Sequence, residues 1–426
     1  MSKYILSELP ELLQAGVITP ETAAKIEAYY DTGATESQNK LFVIFGILGA
    51  ILSGLGIILI LAHNWDDLST VVKAAISFLP LLIGQAACAY SLLKKPDNTA
   101  WKESSAVFLF VGIGASISLI AQVYNISGDF SAFLLTWLLL GLPLVYIMRS
   151  SIVSLLYITG ISIYCHTGDY NDRLENACWY WVLFIGILPY YLGLIRSNLK
   201  SNFIFIHHWA ISLTVLFSFG ALFEHAEWVM NLAYMGLCTI FYFIGSNAYF
   251  KSQKLTHTSY LILGKLGMIG LMLLYSFKWF CEDWNRDRLQ TKGLFYAPEF
   301  YITIILLLAA GLLFLKKNMP KNFKGITIFE IIFLANLALL PLGNYMHVGA
   351  NIFVLLMGLS EINRGSKQND LGILNFGLLI ITVLIICRFF DTELSFVLRG
   401  ILFLSVGIGF FAANYLMLKK RKSDEE

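Results

Sequence analysis

The chain has 426 residues, 57% of them hydrophobic and only 14% charged, whereas about a quarter of the residues in soluble domains are charged. That balance excludes a soluble globular protein. The formal net charge of +2 says little as a total, because in a membrane protein the distribution between loops carries the information; nothing in it calls for a nucleic-acid partner.

Residues 1–40 are polar and carry Glu8, Glu11, Glu21 and Glu27, unlike the basic leader and short apolar core of a signal peptide. Ile5, Leu6, Leu9, Leu12 and Leu13 recur at helical spacing, Gly16 closes that helix, and Thr19 followed by Pro20 reads as an N-cap with proline at the first helical position. A helical hairpin is expected, too small to fold around a core of its own. Residues 1–35 are expected to dock on the membrane domain or on a cytoplasmic protein partner, with 31–40 as a linker.

The stretch 41–63 is uncharged and apolar up to His63, and at ~1.5 Å per residue it reaches ~34 Å, enough to cross a hydrocarbon core of ~30 Å. The same pattern of apolar run and polar turn repeats to the end of the chain. Runs of this length indicate an all-α bundle and not the ~10-residue alternating segments of a membrane barrel. About fourteen spans are expected, at 41–63, 71–93, 104–123, 131–148, 151–165, 178–195, 203–223, 228–250, 258–277, 298–315, 323–342, 348–362, 371–390 and 394–418. The fifth and twelfth are short and open to a re-entrant reading. The chain thus divides into the hairpin and linker at 1–40, a membrane domain at 41–418 and a charged tail at 419–426.

With the N-terminus in the cytoplasm, most of the 30 basic residues fall in inside segments. The outside loops hold Arg173, Lys278, Arg286, Arg288 and Lys292, and Lys73, Lys265, Arg388 and Arg399 lie within spans. Several outside turns are acidic instead, among them Asp66 with Asp67, Asp129, and Glu224 with Glu227. This is the positive-inside bias, and it puts both termini in the cytoplasm. Tryptophans 65, 101, 179, 181, 228, 279 and 284 fall near span ends, as interfacial anchors do. Of six cysteines, most lie within apolar runs, where Cys acts as a small hydrophobe; Cys165 and Cys178, at the two ends of one short loop, are the one pair placed for a disulfide on an oxidising face.

AHNW (Ala62 to Trp65) and SLIAQVYNISG (Ser118 to Gly128), with GVITPETAAKI (Gly16 to Ile26) before them, resemble the bacterial predicted membrane proteins grouped as a domain of unknown function, number 2157. The resemblance covers about residues 10–150, with a weaker likeness at 388–415. It implies a bacterial multi-pass inner-membrane protein and brings no established activity, cofactor or catalytic residue.

Gly46, Ala50 and Gly54 in the first span, and Gly112 with Ser116 and Gly114 with Ser118 in the third, are small residues four apart, which lets helix backbones approach closely in lipid. Both helices are expected inside the bundle. Ionisable groups within spans are the best pointers to function, because an uncompensated charge in hydrocarbon costs several kcal/mol. Lys265 lies seven residues beyond Thr258 and Glu330 seven beyond Phe323, each ~10 Å deep from the cytoplasmic side. They are candidates for an ion pair, or for a cation or proton path, against the plainer reading of a snorkelling lysine and a hydrogen-bonded carboxyl. His207 and His208, adjacent at the start of the seventh span, point ~100° apart and do not make the i, i+4 pair of a zinc site; an interfacial position is expected. At the outer face, His63, Asn64, Trp65 and Asp66 end the first span and Gln122, Tyr124 and Asn125 the third, and the two groups are expected to form one hydrogen-bonded cluster.

The chain has no phosphate-binding GxxxxGK[ST] loop, no HExxH and no GxSxG, and neither a cofactor nor a metal is expected. Pro80, Pro143 and Pro189 interrupt helices where freed carbonyls line cavities in many transporters. The leading expectation is a secondary transporter or flippase-like permease of unknown substrate rather than an enzyme. The alternatives are a membrane-embedded enzyme acting on a lipid or lipid-linked substrate through His63, Asp66 and Asp67, or a scaffold or sensor working through the N-terminal hairpin.

Overall fold

The computed structural model describes residues 2–26, 68–168, 173–197, 202–223, 227–251, 257–291, 293–321, 323 and 325–389, with parts of 44–59 and 395–415. Among these residues every regular element is helical. Nine helices are long and apolar enough to cross a membrane, or ten if one sharply bent pair counts as a span. The polytopic helical class is therefore as read from sequence, while the count of about fourteen spans is not confirmed. Backbone contacts divide the chain into two compact units, 1–207 and 208–426.

The first unit opens with α1 (Ser2–Gln14) and a second helix, α2, described over 20–26. Gly16 takes φ +67 and lets Val17 N–H reach back to the Leu12 carbonyl at 3.1 Å, the reversal that a left-handed residue after a helix permits. Thr19 Oγ1 then accepts from Thr22 N–H at 3.3 Å and caps α2. Leu9 and Ala23 are the buried side chains of this hairpin. The linker 31–40 lies outside the described residues.

Then follow α3 (Ile44–Ser53), α4 (Thr70–Lys94), α5 (Thr99–Val123), α6 (Phe130–Met148), α7 (Ser151–Cys165) and α8 (Arg173–Ser197). α4 bends at Phe78–Leu79, where Pro80 sits at the start of its second segment; Pro143 and Pro189 lie inside continuous helices. α5 is the axis of this unit, packed against α4, α6 and α7. Its glycines explain why. A Cβ at Gly112 would stand 2.9 Å from the Pro80 carbonyl oxygen, and one at Gly114 would stand 2.7 Å from the Trp137 ring, whose Nε1 donates to the Phe110 carbonyl at 2.8 Å. The small-residue face read from the sequence thus seats α5 in the bundle. In α3, Gly46 approaches Ser104, while Ile44, Phe45, Leu48 and Leu52 are exposed; Ala50 and Gly54 lie outside the described residues.

Helix α9 (Asn202–Phe219) carries the boundary at 207/208. The second unit contains α10 (Glu227–Gly245), the short α11 (Ala248–Lys251), α12 (Ser259–Tyr275), α13 (Lys278–Gln290), α14 (Pro298–Asn318), α15 (Ile328–Leu339), α16 (Met346–Gln368) and α17 (Leu371–Phe389). α10 and α12 pack closely because a Cβ at Gly264 would stand 2.6 Å from Tyr242 N and 2.7 Å from the Cys238 carbonyl oxygen. α16 and α17 form a hairpin on the same device: Gly358 and Gly377 each face the other's carbonyl, and Gly365 faces Leu374 N. Asn369 at φ +56 turns the chain, and Asp370 Oδ1 caps α17 by accepting from Gly372 and Ile373 N–H.

Two helix breaks correct the sequence reading of this unit. The polar stretch after α12, expected as a loop, is α13, bent 88° from α12. It is held by Trp284 Nε1 to the Trp228 carbonyl at 2.9 Å, Arg288 Nη1 to the Leu340 carbonyl at 3.1 Å, and Asn285 Nδ2 to Asn344 Oδ1 at 2.8 Å. The second break is the 3₁₀ segment Leu340–Tyr345 with Gly343 at φ 55, ψ −123. It leaves α15 only 12 residues long and lets α16 run for 23 residues, so the eleventh run and not the twelfth is the short one. Cys165 is buried and Cys178 exposed, one turned into the bundle and the other out of it, and the disulfide for which they were the candidate pair is not formed.

Candidate functional site

Arg288 and Arg388 lie in the last turns of α13 and α17, but other basic residues of each unit lie together at one end. In the second unit that end holds Lys316, Lys317, Arg364 and Lys367, all in last turns or close to them. The buried acids of this end are the candidate site.

Lys265, on α12, points at Glu361 on α16, with Nζ 3.7 Å from Oε2. Arg364, one turn on along α16, donates from Nη1 to Glu361 Oε1 at 3.0 Å. Glu361 is only 1% exposed, so its carboxylate depends on these two cations. Its Oε2 has no hydrogen bond among the described residues; the lysine neutralises it at ion-pair range. The Lys265 ammonium is flanked by the rings of Phe329 and Phe376, at 4.8 and 5.3 Å from the centroids, a cation–π setting that suits a charge held away from water. Lys265 is seven residues into α12, counting from Ser259, and Glu361 is seven residues before the end of α16, so the pair lies ~10 Å from the helix ends.

Glu330 sits beside it in a second set. Lys317 Nζ is 3.2 Å from Glu330 Oε1, Asn318 Nδ2 donates to Oε2 at 2.8 Å, and Thr327 Oγ1 donates to Oε1 at 3.0 Å. Thr327 Oγ1 and the Tyr242 hydroxyl are 2.9 Å apart, and Tyr242 stacks on Phe329 at 5.9 Å. Phe329 thus contacts a residue of each set, the Lys265 ammonium and the Tyr242 ring. Lys317 in turn lies 5.2 Å from the Tyr242 ring.

The expected Lys265–Glu330 pair is therefore not formed; each residue has another partner. The reason is depth. α15 begins at Ile328, so Glu330 stands in its first turn, level with the end of α14, and not seven residues inside a helix. Sequence reading missed Glu361 and Arg364 because the twelfth span was cut at 362, which put Arg364 in a loop. The signal was present as an acid and a base three apart, the spacing that pairs on a helix.

The outer-face cluster fares differently. Gln122, Tyr124 and Asn125 are exposed and close α5, with Asn125 at φ 48 and Ile126 N–H returning to the Ala121 carbonyl. His63, Asn64, Trp65, Asp66 and Asp67 lie outside the described residues. His207 and His208, expected at an interface, are buried; His208 is enclosed by Tyr249, Phe250 and Tyr260. Arg388 is placed over Phe277 at 4.6 Å and donates to Ser276 Oγ at 3.2 Å, while Arg399 lies outside the described residues. No group of three His, Cys, Asp or Glu suited to a metal occurs among the described residues.

Residues 10–154 match the family described as predicted membrane protein, domain of unknown function 2157. The match begins inside α1, ends in the first turn of α7 and so covers α2 to α6, as the resemblance at AHNW and SLIAQVYNISG implied. The whole candidate site in the second unit lies beyond it. No curated protein and no solved structure matches the chain.

Proposed function

We propose that this chain is a permease of the bacterial inner membrane, a secondary transporter or flippase-like protein, whose working centre is the pair of buried carboxylates Glu361 and Glu330 with their lysines. The observation that carries this reading is the Lys265–Glu361 contact: a carboxylate 1% exposed, held by a lysine at 3.7 Å, inside a bundle of apolar helices. Ionisable groups in such a place are costly and mark ion or substrate paths. The second unit also has two helix breaks, at the ends of α12 and α16 opposite the pair, and interrupted helices are a recurring feature of transporter cores. In this reading the basic end of each unit faces the cytoplasm, in keeping with the positive-inside rule, and both termini are cytoplasmic.

The test is reconstitution of the full-length protein in liposomes with an entrapped pH dye and, in parallel, a fluorescent phospholipid quenched from outside. The expected result is proton or lipid movement above that of protein-free liposomes. Rates equal to protein-free liposomes in both assays, with protein shown to be folded and inserted, would overturn the reading.

A further inference from the structure

The basic end of the first unit holds a second buried polar network, independent of the permease reading. Glu103, near the start of α5, is 4% exposed and caps α7 from 47 residues away in sequence: Ser150 Oγ donates to Oε2, Ser151 N–H to Oε1 at 2.9 Å and Ile152 N–H to Oε2 at 3.2 Å. The Ser151 hydroxyl is 3.4 Å from the hydroxyl of Tyr190 on α8, and Tyr190 in turn faces Ser154. Ser154 Oγ meets His207 Nε2. Both Ser154 and His207 are fully buried, at 0% exposure. Five side chains from four helices thus form one chain of polar groups from a carboxylate to an imidazole.

Counting hydrogens along that chain gives it a chemistry. His207 Nδ1 lies 2.6 Å from the Phe203 carbonyl oxygen, which only accepts, so Nδ1 carries a hydrogen. In the neutral ring Nε2 is then a bare acceptor and the Ser154 hydroxyl must donate to it. Ser154 Oγ also lies 2.9 Å from the Ser151 carbonyl oxygen, and one hydroxyl hydrogen cannot serve both well. In the imidazolium every group is satisfied: Nδ1–H to Phe203, Nε2–H to Ser154, and Ser154 O–H to Ser151. Hydrogen bonding therefore favours the charged ring, burial favours the neutral one, and the Glu103 carboxylate at the far end of the chain supplies the negative charge. The groups facing the ring are Ser154 from α7, Tyr190 from α8, whose ring centroid is 6.3 Å away, and the Phe203 carbonyl of its own helix; Glu103 from α5 is the charged member.

We infer that His207 and Ser154, backed by Tyr190, Ser151 and Glu103, form a reversible proton-binding site. A proton from water adds to the Nε2 lone pair, the Ser154 hydroxyl turns its own hydrogen from Nε2 to the Ser151 carbonyl, and the reverse releases it. One N–H bond forms as one O–H bond of hydronium breaks and leaves water, and no other covalent bond changes. The burial of Ser154 and the absence of room for a carbonyl substrate between it and the ring argue against reading the same pair as a nucleophile and base.

The test is solid-state nitrogen NMR of the full-length protein in lipid, with histidine labelled and His207 assigned by loss of its signals in His207→Asn. The expected result is a single-proton titration of His207 as the pH is lowered toward about 5, from a neutral ring protonated at Nδ1 to the imidazolium. Ser154→Ala, which removes the acceptor of Nε2–H, lowers the midpoint by about one pH unit, a roughly tenfold loss of proton affinity. Ser154→Thr, which keeps a hydroxyl, leaves it near the wild-type value. Glu103→Gln lowers it as well. A His207 that stays neutral from pH 5 to 9, or a midpoint that ignores both Ser154→Ala and Glu103→Gln, would show a structural histidine and overturn the proposal.

Discussion

Lys265 on α12 and Glu361 on α16 face one another at 3.7 Å about 10 Å inside the ends of their helices, and Arg364 donates to the other oxygen of the same carboxylate at 3.0 Å. Removing one member of a buried pair leaves the other uncompensated, a loss of about 3–5 kcal/mol, whereas replacing both by apolar residues is often near neutral. Glu361→Met is therefore expected to lower the unfolding temperature in detergent sharply, and Lys265→Met together with Glu361→Met to recover much of the loss. Equal destabilisation by the single and double variants would show that the two residues are not coupled.

Glu103 does for α7 what a local N-cap does for other helices, since it accepts from two of that helix's backbone N–H groups. Glu103→Gln leaves an acceptor and a smaller field, so a loss of about 1–2 kcal/mol is expected; Glu103→Leu leaves the donors unpaired and costs about 2–4 kcal/mol. Thermal unfolding of the full-length protein ranks the two, and the reverse order would argue against capping.

Two glycines of α12 give a matched comparison. A Cβ at Gly264 meets the backbone of α10 at 2.6 and 2.7 Å, while one at Gly270 meets nothing within 4 Å. Gly264→Ala is expected to cost about 1–3 kcal/mol by forcing the helices apart, and Gly270→Ala to be neutral or to stabilise by up to ~1 kcal/mol through helix propensity. Unfolding midpoints that fall equally would contradict the packing account.

Orientation of the first unit is open to labelling. Asp97 and Gly128 are both exposed, the first between α4 and α5 at the basic end, the second between α5 and α6 at the other. In a cysteine-free background, Gly128→Cys is expected to react with an impermeant maleimide in intact spheroplasts, and Asp97→Cys only in inside-out vesicles. The opposite pattern would invert the topology proposed from the basic residues.

How much of this was legible in the sequence follows from what each feature depends on. The hairpin turn was legible because Gly16, Thr19 and Pro20 act on their own neighbours, and so were the helices whose apolar runs are bounded by charge, such as α6 and α7. The seat of α5 was legible from its glycines, since small residues have few other uses there. The pairings of Lys265 and Glu330 were not legible. They depend on where α15 begins and on how far α16 extends, and Gly343, whose backbone breaks the run between them, looks in sequence like any other glycine. The capping of α7 by Glu103 spans 47 residues in sequence and has no local signature at all.

The most direct measurement is the flux of protons or fluorescent phospholipid through liposomes carrying Glu361→Gln beside wild type, at equal protein content and with folding checked by thermal unfolding. Glutamine keeps the shape and a hydrogen-bonding head but removes the charge that faces Lys265. Transport that falls by about tenfold or more while the protein stays folded, a barrier change of ~1.4 kcal/mol, is the result predicted. Wild-type flux through a folded Glu361→Gln protein would show that the buried pair only supports the fold, and would contradict its place at the working centre.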